Sequence, residues 1–464
     1  MGIGALDYKK GGSSFDINGI IEDYYVYAGE KVSAGDFVEF INGVASREFE
    51  TSEDTYLGGA NTCETIPKAV ELPNGNVFIV HRQKPSSAYL LYGIVCEVNK
   101  GKITPGTDTR LTNNSDSTAG VNALVLPSGD VLVSYTRSAV YGMVCTINGT
   151  TISAGTATKL HSSGTTNFHQ LILLSDGKFM VFYADNSASY ALSCAVCSVS
   201  GKTVTGGTFK KIDTVQNSGA TISPTLLPDG KVFVAHQHGN YTLAGTILTI
   251  SGTTISNGTI TSLSAISNSG TEISALTLPS GKVFIAHSNT SGSDYLYGMI
   301  CTISGTTITA GTDILLKDTT NSAYKISAVL LPDGKVFVAH SESTLYYLNG
   351  MICTISDTTI TAGTDVSLIP VQQAGFYFSA CLLQSGNVFI AHSSYISDNR
   401  HFYAQIFGVD ESNNVPTNQV STPTYEIQVR PATTLPCNGV AKTSGEGGDK
   451  IGHKDIVSVY VNNV

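Results

Sequence analysis

The chain has no tryptophan, only five methionines, and few charges for its 464 residues: Asp, Glu, Lys and Arg together make up 13%. An ordinary globular domain carries about a quarter, so this surface is polar through Gly, Ser and Thr and only weakly charged. The charge present leans acidic, at −10 net, which excludes a basic face for nucleic-acid phosphates. No apolar run is long enough for a membrane-spanning helix, so no membrane insertion is expected. The opening Met1–Lys10 has no apolar stretch after its charges and does not read as a secretory signal. Helical periodicity is missing too: no segment keeps an apolar stripe over three turns. G-x-S-x-G, H-E-x-x-H and P-loop signatures are all absent, so no enzyme and no cofactor is expected.

What is present is a repeat. Leu226–His236 and Leu330–His340 are identical, Leu-Leu-Pro-Asp-Gly-Lys-Val-Phe-Val-Ala-His, and looser copies surround Gly75, Gly129, Gly177, Gly281 and Gly386. The period of roughly 52 residues lies at the upper end of the range for solenoids and propellers. Residues 273–316 show the plan of one unit. Ile273–Leu278 is strand A, a Pro-Ser-Gly turn follows, and Lys282–His287 is strand B. After a variable loop, Tyr295–Ile303 is strand C and Thr307–Leu316 strand D. β-Branched and aromatic residues fill the strands and Gly, Pro, Asp and Ser the turns. Four antiparallel strands repeated seven times predict an all-β, seven-bladed β-propeller. A β-solenoid is the competitor, but its coils are shorter and its strands parallel.

Cysteine follows the repeat. Cys96, Cys145, Cys197, Cys301 and Cys353 share one slot, filled by Leu248 and Phe407 in the other two units. Equivalent positions cannot all bridge one another, so these read as reduced core thiols in a chain that folds in a cytoplasm. Strand D carries Gly-Thr at Gly106, Gly155, Gly207, Gly258, Gly311 and Gly363, which suggests a bulge or kink. The seventh unit has Pro416 instead, so its outer strand is expected to be irregular and to mark the seam with the first blade.

Residues 1–60 and 424–464 leave the repeat. Both read as short strands, and the economical arrangement is one small β domain made from both flanks, with the propeller, 61–423, inserted into it. Within the propeller the A–B and C–D turns are uniform, whereas the B–C loops and the D-to-A connections vary. Binding residues concentrate on loops over a rigid scaffold, so the variable face is the candidate recognition surface. It offers Arg82, Tyr89, Arg137, Tyr141, Tyr190, Tyr241, Tyr295, Tyr346, Tyr347, Tyr395 and Arg400. Tyrosine rings with polar tips suit sugar or protein surfaces; the plainer reading packs many of them between blades. His81, His236, His287, His340 and His392 recur at the end of strand B, where Tyr135 and Tyr183 stand in two units. Sheets sit about 10 Å apart, too far for neighbouring blades to share an ion through this slot. A hydrogen bond closing the B–C loop is expected, and no metal. Asn113-Asn-Ser-Asp116 has oxygen donors for Ca²⁺, but turns of this composition are ordinary.

The Leu-Pro-x-Gly-Lys-Val strand opening resembles kelch-type propellers, without their double glycine or tryptophan, so kelch enzyme chemistry does not transfer. Gly29–Val38, Gly439–Asp449 and the terminal Val457-Ser-Val-Tyr460 resemble the small β domains of bacteriophage head-fibre, capsid-decoration and tail proteins. The resemblance implies a virion surface protein assembled in the bacterial cytoplasm. Its flanks would anchor it to other virion proteins of capsid or tail, and its propeller would adhere to a host-surface glycan or protein; a homo-oligomer fits this reading. The alternatives are a tail-fibre or baseplate receptor-binding protein and a propeller enzyme acting on surface polysaccharide. A converging pair of carboxylates on the variable face would favour the enzyme.

Overall fold

The chain, seen in a computed structural model, is all-β, with a single 3₁₀ turn, Asn186–Ala188, among the described residues. Side chains are described for residues 51–420 apart from 59–64, 86–87, 113–119, 161–168, 290–293, 320–321, 343–344, 395–399 and 411–413; outside 51–420 only strand backbone is described. Two compact units result, Met1–Phe49 with Ser421–Val464, and Glu50–Val420.

The second unit is a seven-bladed propeller. Its blades are built on Lys68–Arg110, Val121–Lys159, Thr165–Asp213, Ile222–Ser262, Ile273–Lys317, Ile326–Ile369 and Phe378–Thr417. Strands A, B and C pair antiparallel in every blade, joined at the Leu-Pro-x-Gly turn by glycines held at φ near 80°. Strand D departs from expectation. It is two short pieces, in blade 5 Thr307–Thr309 and Ile314–Lys317, each paired with a different stretch of strand C. The Gly-Thr motif is the break between them. There the backbone presses so closely on strand C that a Cβ on Gly311 would sit 2.2 Å from the Ile300 carbonyl oxygen.

Apolar packing joins the blades. The second residue of strand B, phenylalanine in five blades and Leu132 and Met180 in blades 2 and 3, clusters with two strand-B residues and the cysteine slot of the next blade. Phe78 meets Val131, Val133 and Cys145, and Phe233 meets Val283, Ile285 and Cys301. The last such contact closes the ring, with Phe389 of blade 7 against Val77, Ile79 and Cys96 of blade 1. The inner strands add a girdle of hydrogen bonds. Oγ of Ser223, Ser274 and Ser327 accepts from the backbone N–H of Ala275, Ala328 and Ala380 at 2.8, 2.9 and 3.3 Å. Ser379 accepts in the same way from Ala69 at 3.4 Å, again across the closure. All five slot cysteines are buried and unpaired, which raises their thiols, Cys96, Cys145, Cys301 and Cys353 to about 12 and Cys197 to about 11.

The outer strand of blade 7 comes from the other end of the propeller chain. Thr55–Gly58 pairs antiparallel with strand C of blade 7, Thr55 opposite Ala404 and Tyr56 opposite Tyr403. Leu57 is buried there among Phe402, Ala404 and Ile406. The preceding Ser52-Glu-Asp54 takes the place that Gly-Thr-Asp holds in blades 1, 5 and 6: Ser52 Oγ accepts from the Ile406 N–H at 3.1 Å. The propeller therefore takes in residues 50–58, which the sequence reading gave to the flank, and the seam lies inside blade 7.

In the first unit, Gly19–Val26 pairs antiparallel with Ile456–Asn462, and Phe37–Asn42 with Ile427–Pro431. With Gly439–Ala441 these backbone strands close a five-stranded barrel. The anchor domain expected from 1–60 and 424–464 falls largely on residues whose side chains lie outside those described.

Candidate functional site

The repeated histidines belong to the frame. In blades 1, 5 and 6 the fully buried imidazole Nε2 of His81, His287 and His340 lies 3.0, 2.9 and 2.9 Å from Asp108, Asp313 and Asp365. Each Asp is the third residue of the Gly-Thr-Asp break, so the bond reaches across strand C and fixes the outer strand, rather than closing the B–C loop as expected. In blade 7 the partner of His392 is Asp54, at 2.9 Å. Blades 2 and 3, with Tyr135 and Tyr183, have Ala157 and Phe209 in place of the Asp. Blade 4 has Ile260 in place of the Asp, and its His236 Nδ1 lies 2.7 Å from the Gln237 carbonyl oxygen, while the neighbouring His238 pairs with Asp213 of blade 3 at 2.5 Å. Among the described residues no three His, Cys, Asp or Glu side chains converge on a metal position. The Asn113–Asp116 segment lies outside the described residues.

The candidate binding residues fall into three situations. In blades 1 and 2 they form cation–aromatic pairs: the Arg82 guanidinium 4.1 Å from the Tyr89 ring centre with Lys84 at 5.0 Å, and Arg137 5.9 Å from Tyr141. Tyr141 itself stacks on Tyr135 at 5.5 Å. Tyr295 and Tyr347 begin strand C and are half-buried against the B–C hairpin, opposite Asn289 and Glu342. Tyr190 and Tyr241 stand apart and exposed, at 38% and 50%. The side chain of Tyr395 lies outside those described.

Tyr346 and Arg400 meet in a cluster between blades 6 and 7. Tyr346 lies 4.7 Å from Tyr324 and 5.1 Å from Phe376, and Tyr324 lies 5.2 Å from Phe376. Arg400 spreads over Phe376 and Tyr377 at 4.7 and 4.6 Å. The rings are half-buried, a sign that they pack on one another while keeping a solvent side. Beside them Lys325 lies 5.4 Å from the Tyr324 ring and pairs with Glu272. Burial raises the Glu272 carboxyl above its ordinary range; the Lys325 charge opposes this and Asp294 adds to it. Burial raises Asp294 as well. Two carboxyls with raised pKa thus lie at the variable face, where the Asp294 charge adds to the shift of Glu272, and the sequence did not reveal them. Tyr324, Phe376 and Tyr377 were missed because they sit in the D-to-A connections. The signal available was the run Phe376-Tyr-Phe378 in a connection that reads Ser218-Gly-Ala-Thr221 and Ser269-Gly-Thr271 before blades 4 and 5.

The opposite, uniform face has hollows of about 620 Å³ and 470 Å³ at the A–B turns, around Leu227–Gly230 and around Pro127 and Gly177. Neither is lined by an aromatic ring, and both rest on turn chemistry common to the blades. The variable face is the one that combines rings, cations and carboxyls.

No family model and no curated protein matches the sequence. Solved structures do share the fold. The BP39L lectin of Burkholderia pseudomallei superposes with a TM-score of 0.56 at 10% identity, over 79% of this chain and 99% of the lectin. A fungal alcohol oxidase of the AA5 family in complex with copper gives 0.52 at 13%, over 91% and 94%. A protein of unknown function from Dyadobacter fermentans gives 0.50 at 14%, over 77% and 98%. At such identities the likeness is one of fold: the chain is a seven-bladed β-propeller.

Proposed function

We propose that the protein is a glycan-recognition propeller that binds through its variable face. The observation that carries this reading is the platform of Tyr324, Tyr346, Phe376 and Tyr377 with Arg400 laid over it. Such a surface suits a sugar, whose apolar C–H face packs on aromatic rings while its hydroxyls take hydrogen bonds from neighbouring polar groups. A lectin among the propellers of similar shape agrees with it. The test is a binding survey of immobilised polysaccharides with the wild type and with Phe376→Ala. A loss of at least about tenfold, with unchanged melting temperature, is expected from removing one central ring. Equal binding by the variant would remove the platform from the site.

A second reading is a glycan-cleaving enzyme, favoured by Glu272 and Asp294. Their raised pKa values suit the protonated member of an acid–base pair. Release of new reducing ends from a bound polysaccharide, abolished by Glu272→Gln, would establish it. For the flanks we propose attachment to a phage particle, on the resemblance of Gly29–Val38 and Gly439–Asp449 to virion proteins. Immunogold labelling of intact particles tests this, and particles without label beside soluble protein would refute it.

A further inference from the structure

Three tyrosines share one position in three repeats and a backbone conformation that tyrosine disfavours. Tyr190, Tyr241 and Tyr346 stand just before or at the start of strand C on the variable face, with φ of 63°, 59° and 54°. This left-handed region costs an L-residue about 1–2 kcal/mol and falls by default to Gly or Asn. The carbonyl of each tyrosine accepts an N–H from the glycine of the next D-to-A connection: Gly219 at 2.9 Å, Gly270 at 2.7 Å and Gly375 at 2.7 Å. The fit beneath the tyrosine is close, since a Cβ on Gly270 would lie 2.6 Å from the Thr242 oxygen.

That bond uses only backbone atoms. Gly or Asn in place of tyrosine would make it with less strain, so the frame does not explain the rings. Blade 5 shows the slot without its tyrosine. Asp294 occupies it at φ 43°, and the connection there has Ala323 where the others have glycine. Tyrosine and glycine are thus kept together in three of the four repeats that hold this strained conformation and are both absent from the fourth, while Tyr89 of blade 1 stands at the same position without the positive φ. Strain held in place with no structural return points to function. Two of the rings, Tyr190 and Tyr241, are among the most exposed large side chains of the propeller, and the third is part of the aromatic platform.

Building on the glycan reading, we infer that Tyr190 and Tyr241 are outlying copies of the Tyr346 station, so that blades 3, 4 and 6 form an arc of stacking stations for one repeating polysaccharide. A lone ring holds a sugar weakly. A polymer that presents the same unit many times engages several rings at a raised effective concentration and gains avidity without a stronger single contact. An irregular protein surface gives no reason for the same ring to recur in the same strained slot.

The experiment compares wild type, Tyr190→Asn, Tyr241→Asn and the double variant. The probes are immobilised bacterial lipopolysaccharide, dextran, arabinan and polysialic acid, together with a short oligosaccharide from each polymer that binds. Each substitution is expected to lower polymer affinity roughly tenfold, within the range of avidity effects. It should leave short-oligosaccharide affinity at the platform unchanged and leave the melting temperature level or higher, because Asn relieves the strain. Polymer binding equal to wild type, in a protein whose binding Phe376→Ala abolishes, overturns the station arc and leaves the glycan reading standing. A parallel fall in melting temperature and in oligosaccharide binding also overturns it, since the tyrosines would then be structural. Failure of the wild type to bind any of the four polymers removes the glycan reading, and the arc with it.

Discussion

The chain closes its ring with a pair that can be cut without touching any other blade. Asp54 meets the fully buried His392 at 2.9 Å, with the Asp side chain 30% exposed. Asp54→Ala leaves a buried imidazole donor unmatched, at a cost of about 1–3 kcal/mol, and the exposure of Asp54 argues for the lower half of that range. Asp313→Ala in blade 5 removes the same chemical bond at 2.9 Å together with the hydrogen bond that Asp313 accepts from Ser264 Oγ at 2.7 Å, but there the outer strand continues the chain of its own blade. The Asp313 variant should therefore lose at least as much global stability, and the two should differ in where they open. In the Asp54 variant, Thr55–Gly58 is held by strand pairing, Leu57 packing, the Tyr56–Tyr403 ring contact and the neighbouring Ser52 hydrogen bond, without the buried latch, so local opening at the seam should become about 5–30-fold more frequent, the factor for one to two kcal/mol. Hydrogen exchange read by mass spectrometry can follow this on the peptide covering Asn399–Asp410, which carries the paired residues Phe402–Ala404. Faster exchange there in Asp54→Ala, without matching acceleration on Tyr295–Ser304 in Asp313→Ala, is the expected pattern. Equal acceleration in both, or none in either, would refute the claim that the His392–Asp54 pair latches the ring.

Further outcomes can be checked independently. His169, fully buried with Nε2 2.7 Å from Ser134 Oγ, is pushed down to about 4 by burial. With its folded pKa below the unfolded value of about 6.5, it contributes fully above pH 6.5 and costs stability as pH falls from there through 4. The loss is on the order of 3 kcal/mol, and denaturant titrations of His169→Gln should show a flatter acid limb. Gly311→Ala would drive a Cβ to 2.2 Å from the Ile300 oxygen. Because backbone must move, a loss above about 2 kcal/mol is expected in chemical denaturation. Cys96, Cys145, Cys301 and Cys353, raised to about 12, should resist alkylation at pH 8 in the folded protein and react on unfolding. Mapped peptides would show this.

The blades were legible because each carries its own Leu-Pro-x-Gly turn, and the cysteine slot because five copies put the same small apolar residue on strand C. Two features were harder to read. The outer strand of blade 7 hid in Ser52–Leu57, whose Asp and Leu match the motif of the other blades while Ser52 replaces its glycine; a search keyed on Gly-Thr passes over it. The break in strand D depends on how closely two backbones approach, and a glycine in a β-type stretch fits a bulge equally well. At the candidate site, Arg400 and Tyr346 were found because B–C loops vary visibly. Their partners Tyr324 and Phe376 come from connections between blades, and only the closed ring brings those next to one another. Glu272 and Asp294 were passed over because they precede strands A and C of blade 5, where single carboxylates carry no motif.

Donation of the closing strand by residues 55–58 has a consequence for biosynthesis. Those residues leave the ribosome before any blade exists, yet their partner in blade 7 is made more than 300 residues later. Until then the early segment has no place to pair, and a growing row of blades presents an open flank at each end. Such long-range pairing is slow and leaves strand edges available to other nascent chains. Shielding of that first segment during translation should therefore raise the yield of native protein.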